Sequence, residues 1–259
     1  MILSAVLGFA ATSYVAWYLE RFEMAAVYPF DATYETPAAA GEPRLTETRF
    51  QTQDGHVLVL WQSPAKPGRA TVLYFPGNAG GLKDRVNRFH LLIDRGFGLV
   101  ALAYRGSSGS TGAPNETVLT ADAEAVARAQ TARPLVLYGE SLGTALAIKL
   151  AADGIGDAVV LEAPFTSITD LVAAQFPAED LRKLVTQRWD SDAVIARVSQ
   201  PLLVIHGTDD RTVPIAMGRR IFDLAGSGSK AFVEVARHGH HGLWTPEMQK
   251  ALYDFLIAQ

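Results

Sequence analysis

Short apolar runs, separated by longer segments of mixed polarity, organise the chain after residue 45. Six runs follow one another, at residues 70–75, 97–104, 135–138, 158–162, 202–206 and 231–235. Apolar residues are nearly continuous within each run and do not alternate with polar ones. This pattern is typical of parallel β-strands that are covered on both faces of a sheet.

The segments between the runs are long enough for helices that connect one strand to the next. Three of them cover residues 82–95, 116–132 and 145–152. The last predicted helix is the clearest, because Thr245 can cap it and Pro246 fits its first turn. Before the first run, residues 46–51 and 56–61 flank Asp54-Gly55, which predicts a β-hairpin. Together these elements predict an α/β fold with a mostly parallel sheet of about eight strands and helices on both faces.

The N-terminal 19 residues have a different character from the rest of the chain. Residues 1–19 contain no charged side chain, and a helix of that length rises about 28 Å, close to the thickness of a bilayer core. We expect a single N-terminal membrane anchor, with a cleaved signal peptide or a buried terminal helix as alternatives; the side of the membrane is not specified. Residues 20–45 contain three prolines and are expected to form a tether to a domain at 46–259.

Composition excludes several classes of function. The 23 basic and 27 acidic residues give a formal net charge of −4 without a basic run, so nucleic acid is not an expected partner. The chain has no cysteine, which excludes disulfides, thiolate metal sites and a cysteine nucleophile.

A candidate nucleophile follows the run at 135–138. There the chain reads Gly139-Glu140-Ser141-Leu142-Gly143 and continues into a predicted helix. This G-x-S-x-G sequence between a strand and a helix predicts a nucleophile elbow, a sharp turn that exposes a serine hydroxyl. The two glycines are expected because a Cβ atom at either position would collide with neighbouring backbone.

Candidate partners for the serine follow two later runs. Residues 207–214 contain Asp209 and Asp210, and residues 236–242 contain His238, His240 and His241. A serine needs a base that is itself oriented by a carboxylate, and the chain order Ser, Asp, His meets this requirement. A metal site built from the three histidines is the rival interpretation, but no suitably spaced acidic residue accompanies them.

Five motifs in this order resemble those of α/β-hydrolases from about residue 45 to the end. They are FPGNAGG at 75–81, YRGSSGSTGAP at 104–114, GESLG at 139–143, HGTDDRTVP at 206–214 and GHHG at 239–242. Within that superfamily the chain is similar to membrane-anchored bacterial hydrolases described as lysophospholipase-like or aminopeptidase-like, and to eukaryotic depalmitoylating serine hydrolases. The segment VYPFD at 27–31 also resembles these anchored members.

The resemblance assigns the roles of the acid and the base. It implies that Asp210 is the acid, with Asp209 as the alternative, and that His240 is the base. His238 and His241 are then pocket residues or surface polar residues. We expect His206, which ends a predicted strand, to stabilise the loop that carries the acid.

The resemblance also implies an oxyanion hole of two backbone N–H groups. One belongs to Leu142, directly after the nucleophile, and the other to Asn78, with Ala79 as the alternative. Pro76 stands where many relatives carry a histidine that shapes this loop.

The expected function is that of a serine hydrolase that cleaves carboxylic ester or thioester bonds of small-molecule, lipid-like acyl substrates through an acyl-enzyme, without cofactor or metal. An aminopeptidase-type peptidase and a non-catalytic lipid-binding or protein-binding scaffold are the alternatives. Residues 164–199 are expected to form a short cap, either covering its own core or walling an acyl chain. Every catalytic motif lies after residue 70, so we expect residues before about 40 to be dispensable for the chemistry.

Overall fold

The structure, a computed structural model, describes residues 20–176 and 182–259. The expected membrane anchor at 1–19 and residues 177–181 of the expected cap lie outside the described residues. Within the two described ranges, no helix is long and apolar enough to cross a membrane.

A single eight-stranded sheet runs through the described part of the chain. The strands are β1 (Thr46–Gln51), β2 (Val57–Ser63), β3 (Thr71–Phe75), β4 (Gly98–Leu102), β5 (Leu135–Glu140), β6 (Ala158–Glu162), β7 (Leu202–Gly207) and β8 (Lys230–Val235). They lie in the order β1-β2-β4-β3-β5-β6-β7-β8. β1 and β2 form an antiparallel hairpin, β2 is also antiparallel to β4, and β3 to β8 run parallel to one another. The predicted mostly parallel sheet and the predicted hairpin are therefore confirmed.

Helices cover both faces of this sheet. They are α1 (Val86–Asp94), α2 (Glu116–Ala129), α3 (Leu142–Ala152), α4 (Ile168–Gln175), α5 (Ile215–Leu224) and α6 (Pro246–Ile257). Residues 20–27 are also helical. Thr245 caps α6 by accepting a hydrogen bond from the backbone N–H of Met248, and Pro246 is its first residue, as predicted.

The predicted helix at 82–95 is divided into two elements. Residues Leu82–Arg85 form a 3₁₀ turn, and α1 begins only at Val86. Arg85 stands at the N-cap position of α1 with its side chain buried. The division therefore turns a charged side chain inward, towards the ends of β3 and β5.

The sheet separates two apolar cores, and adjacent strand residues face opposite ones. In β5, Val136 lies in the core beneath α1 and α6, whereas Leu137 lies in the core beneath α2 and α3. Both residues are fully buried. Two covered faces explain why the strands read as continuous apolar runs.

Residues 20–31, expected to be part of a tether, lie against the body of the domain. The Glu23 carboxylate accepts hydrogen bonds from the backbone N–H groups of Thr186 and Gln187, at 2.7 and 2.9 Å. The Tyr28 hydroxyl donates to Gln187 Oε1 at 2.8 Å and accepts from the indole N–H of Trp189 at 3.0 Å. This segment is therefore joined to the second half of the cap.

Candidate active site

The loops that carry the candidate residues meet at one edge of the sheet. Ser141 directly follows β5, while Asp210 and His240 lie beyond the ends of β7 and β8. All three strands are parallel, so their carboxyl ends share one edge. In open α/β sheets this is the edge at which ligands bind.

Ser141 occupies a strained turn between β5 and α3. Its φ of 49° and ψ of −113° place a residue with a side chain in a region that favours glycine. A Cβ atom on Gly139 would lie 2.4 Å from the carbonyl oxygen of Gly143, and one on Gly143 would lie 2.0 Å from that of Phe75. The predicted reason for the two glycines is therefore confirmed.

Ser141, His240 and Asp210 form a continuous hydrogen-bonded chain. His240 Nε2 lies 2.9 Å from Ser141 Oγ, and His240 Nδ1 lies 2.7 Å from Asp210 Oδ2. Because an ionised carboxylate only accepts hydrogen bonds, the proton of neutral His240 belongs on Nδ1. Nε2 is then free to accept a proton from the serine hydroxyl.

The surroundings of Asp210 hold it in its ionised form. Its Oδ1 accepts hydrogen bonds from the backbone N–H groups of Thr212 and Val213, at 2.9 and 2.8 Å. Burial alone would raise the pKa of the Asp210 carboxyl, but hydrogen bonds from His206, His240 and Val213 hold it well below its usual value. The Asp210 carboxylate therefore places a negative charge beside Nδ1 of His240.

The neighbouring candidates are placed differently. His206 is fully buried, with Nε2 2.9 Å from the carbonyl oxygen of Val213 and 3.4 Å from Asp210 Oδ2, so it supports the acid loop as expected. Asp209 is exposed, and its Oδ1 accepts a hydrogen bond from Thr208 Oγ1.

His238 Nδ1 lies 2.9 Å from the carbonyl oxygen of Ala236, away from the serine. The ring of His241 lies edge to face against that of His240, with centroids 5.1 Å apart. In the described part of the chain, no three His, Asp or Glu side chains converge as metal ligands would.

The loop after β3, residues 76–81 (the β3 loop), faces Ser141 across a cavity. The backbone N–H of Asn78 has no acceptor among the described residues, and that of Leu142, the first residue of α3, has no partner within its helix. The Asn78 side chain is tied back through Nδ2, which donates to the carbonyl oxygen of Val27 at 2.9 Å. Asn78 and Leu142 both line the cavity.

That cavity has a volume of about 230 Å³ and contains Ser141 and His240 in its lining. Its apolar wall is formed by six residues: Ala79, Leu142, Phe165, Ile168, Leu171 and Val213. Phe165, Ile168 and Leu171 belong to the expected cap, whereas Trp189 of the same segment is fully buried in a core. The cap thus contributes residues both to a core and to the cavity wall, which are the two roles that the sequence analysis considered.

A buried group of charges beneath the nucleophile is absent from the sequence prediction. Glu140 Oε2 accepts hydrogen bonds from Arg85 Nε at 3.1 Å and from the Tyr74 hydroxyl at 2.7 Å, and lies 3.4 Å from Arg88 Nη1. Burial raises the pKa of the Glu140 carboxyl, but the positive charges of Arg88 and Arg85 lower it by more. The resulting pKa is about 2, below the usual value of 4.5. The sequence does contain one signal for this group of charges: Glu140 is an acidic residue directly beside the nucleophile. A carboxylate that is buried there must be paired.

Comparisons with known proteins agree with this architecture. No family model matches the chain. The uncharacterized protein Rv2307c of Mycobacterium tuberculosis is 35% identical over 221 residues, which cover 82% of this chain and 78% of the relative. The lysophosphatidylserine lipase ABHD12 of Danio rerio is 31% identical over 221 residues, covering 72% of this chain and 58% of the lipase.

Among solved structures, the esterase Pf2001 of Pyrococcus furiosus superposes with a TM-score of 0.71 at 16% identity, covering 88% of this chain and 97% of the esterase. At that identity the similarity concerns the fold. The chain spans 48% to 62% of the length of the vertebrate relatives that it matches.

Proposed function

Because this chain belongs to the α/β-hydrolase superfamily, we propose that it is a serine hydrolase that cleaves carboxylic esters or thioesters of acyl substrates through an acyl-enzyme. The observation that carries the proposal is the hydrogen-bonded chain from Ser141 through His240 to Asp210, of which Ser141 and His240 line an apolar-walled cavity. In this proposal Ser141 is the nucleophile, His240 the general base and Asp210 the orienting acid.

In the acylation step, Ser141 Oγ attacks the carbonyl carbon while His240 Nε2 takes the hydroxyl proton. The imidazolium that forms is stabilised by the ionised Asp210 on Nδ1. His240 then gives the proton to the leaving alcohol or thiol, which departs and leaves an acyl group on Ser141. A water molecule, deprotonated by the same His240, hydrolyses that ester and restores the serine.

The tetrahedral intermediate of each step carries a negative oxygen. We assign the backbone N–H groups of Leu142 and Asn78 as its donors, since both line the cavity that contains Ser141. Fixed backbone donors of this kind stabilise charge that develops in the transition state, and losing one typically lowers kcat by about 10²- to 10³-fold.

The cavity favours an apolar acyl group. Its wall from Phe165, Ile168 and Leu171 can shield methylene groups from water, each contributing about 0.8 kcal/mol to binding. A volume of about 230 Å³ suits short to medium chains. The lipase named among the relatives acts on an acyl lipid, which supports the same substrate class.

Aminopeptidase activity has less support from the site. Such an enzyme must pair the free amino group of its substrate with an anion. Of the acids described in the cap, Asp170 accepts a hydrogen bond from Thr166, and Asp190 and Asp192 pair with arginines. The acid that does line the cavity, Glu140, is bound by Arg85.

Labelling with a fluorophosphonate tests the proposal. The wild-type protein should become covalently labelled and should hydrolyse p-nitrophenyl esters, with an optimum at short to medium acyl chains. Ser141→Ala should show neither property, while an aminoacyl-p-nitroanilide should be a poor substrate for both. Equal labelling of the two proteins would reject Ser141 as nucleophile, and faster anilide than ester hydrolysis would favour a peptidase.

We also propose that residues 1–19 anchor the protein to a membrane. The stretch is uncharged and long enough to cross a bilayer core as a helix. After carbonate washing, the full chain should stay with membranes and a chain beginning at Glu20 should not. Release of the full chain under the same wash would contradict the anchor.

A further inference from the structure

Arg85 lies between the nucleophile elbow and the β3 loop. Its side chain is only 7% exposed, and it reaches this position because the 3₁₀ turn Leu82–Arg85 ends where α1 begins. A buried guanidinium needs partners for its donors. Arg85 finds them on two different structural elements.

The first partner is Glu140, the residue that precedes Ser141. Arg85 Nε donates to Glu140 Oε2 at 3.1 Å and Nη2 donates to Oε1 at 3.2 Å. This bidentate pair uses both carboxylate oxygens and fixes the orientation of the guanidinium relative to the carboxylate. Glu140 is the last residue of β5, so the bond reaches the elbow through one backbone link.

The second partner is the β3 loop itself. Arg85 Nη1 donates to the carbonyl oxygens of Ala79 at 2.6 Å and Gly81 at 3.1 Å. A Cβ atom on Gly77 would lie 3.4 Å from Arg85 Nη2, from Glu140 Oε1 and from Ser141 Cβ. The loop backbone after Asn78 is thus held by the guanidinium, and Gly77, before Asn78, lies beside it.

We propose that Arg85 is a positioning residue that fixes the β3 loop relative to the elbow and so places the Asn78 N–H beside that of Leu142. The inference rests on the proposed function, for which it specifies how the two oxyanion donors are held in register. Arg85 is among the residues that line the cavity, but in this proposal it acts through the β3 loop and not on the substrate. It acts by setting the distance between two backbone segments that are far apart in sequence.

Arg85→Lys is the direct test. An ammonium group lacks the planar fork that reaches both carboxylate oxygens and two carbonyl oxygens together. We expect kcat for a p-nitrophenyl ester to fall by about tenfold to a hundredfold, because misplaced groups weaken transition-state contacts. KM should change by less than about threefold, since ground-state binding depends on the apolar wall.

Arg88→Lys is the matched control. Arg88 also lies near Glu140, and it donates to Tyr74 and Glu162, but the described contacts include none between it and the β3 loop. We expect a comparable loss of thermal stability in both variants but a kcat within about threefold of wild type for Arg88→Lys. A trifluoromethyl ketone inhibitor, which forms an oxyanion, should lose affinity for Arg85→Lys in proportion to kcat.

Amide hydrogen exchange gives a readout that does not depend on activity. Exchange in residues 77–81 should be faster in Arg85→Lys than in Arg88→Lys. Wild-type kcat and inhibitor affinity in a folded Arg85→Lys protein, with unchanged exchange, would overturn the inference and leave the proposed function standing. A wild-type protein without hydrolase activity and without fluorophosphonate labelling would overturn both.

Discussion

The hydroxyl proton of Ser141 has one described acceptor, His240 Nε2, and Asp210 orients that ring through Nδ1. We therefore expect His240→Ala and Asp210→Ala each to lower kcat/KM for a p-nitrophenyl ester by several orders of magnitude, about 10⁴-fold by analogy with other triads. Members of one triad act as a unit. Adding His240→Ala to Ser141→Ala should then reduce the residual rate by less than about threefold.

Neighbouring residues supply the controls for these variants. Asp209→Ala and His238→Ala alter side chains that do not contact Ser141 or His240 among the described contacts, and both should keep most of the wild-type kcat/KM. Near-normal turnover by a folded His240→Ala protein would assign the base to another residue. A severe loss of kcat/KM in a folded Asp209→Ala protein would assign the role of the acid to Asp209.

Glu140 should make stability depend on acid pH. Its pKa is lowered from 4.5 to about 2 in the folded protein, so the ionised form stabilises the fold fully above pH 4.5 and less and less as pH falls towards 2. Glu140→Gln removes this contribution and leaves Arg85 without its carboxylate. We expect the free energy of unfolding at neutral pH to fall by about 3 to 5 kcal/mol.

Urea unfolding between pH 7 and pH 3 measures this effect. Wild-type stability should decline more steeply with acid than that of Glu140→Gln, so that the two curves converge at low pH. Asp210 also has a lowered pKa, and because it is present in both proteins its contribution cancels in the difference. Parallel curves would show that Glu140 is not held in its ionised form.

At the scale of elements, helix α4 supplies one side of the cavity. Leu171 lines it, whereas Val172, the next residue on α4, is not part of the lining. Leu171→Ala should enlarge the space for the acyl chain, and we expect the preferred p-nitrophenyl ester to lengthen by about one to two carbons, since each buried methylene adds about 0.8 kcal/mol. The measurement is kcat/KM across a chain-length series.

Val172→Ala is the control on the same helix. It removes a similar side chain without changing the cavity wall, so its chain-length profile should match that of wild type. A shift of equal size in both variants would mean that α4 moves as a whole and that Leu171 does not set the limit on chain length.

The strands of the central sheet were predictable because burial on both faces leaves a strong signal in sequence. β5 and β6 consist of apolar residues up to their last one or two positions, and those positions lead directly into loops. The G-x-S-x-G elbow was predictable for a related reason, since a backbone contact as close as 2.0 Å admits only glycine at Gly143. The break between the 3₁₀ turn and α1 was not predictable, because it depends on Arg85 finding partners on β5 and the β3 loop.

The contact between residues 20–31 and the site was also hidden from the sequence. Asn78 Nδ2 donates to the backbone carbonyl oxygen of Val27, and the backbone N–H of Asp31 donates to the carbonyl oxygen of Gly80 at 3.2 Å. Three of these four hydrogen-bonding groups belong to the backbone, and every residue has a backbone carbonyl group. The residue types therefore do not predict these contacts. The expectation that residues before about 40 are dispensable for the chemistry ignored these bonds.

At the scale of the whole molecule, the contacts of residues 20–31 with the domain bear on how far the N-terminal segment can be shortened. A chain beginning at Glu20 retains the contacts of Val27 and Asp31 with the β3 loop and should keep the kcat of the full chain towards a water-soluble ester. A chain beginning at Thr33 loses them, together with the buried side chains of Val27 and Tyr28. We expect its kcat to fall by about tenfold or more, because the loop that carries the Asn78 N–H is held on one side only.

Asn78→Ala in the full chain separates loop position from overall stability. It keeps the backbone N–H and the whole N-terminal segment but removes the hydrogen bond to Val27, which is one of the contacts that the shorter chain lacks. We expect kcat to decrease in the same direction as in the chain from Thr33, by a smaller factor, with KM nearly unchanged. Melting temperatures and circular dichroism establish that each protein is folded. Full-chain kcat in a folded protein beginning at Thr33 would show that the β3 loop keeps its position without residues 20–31, and the segment would then be a tether after all.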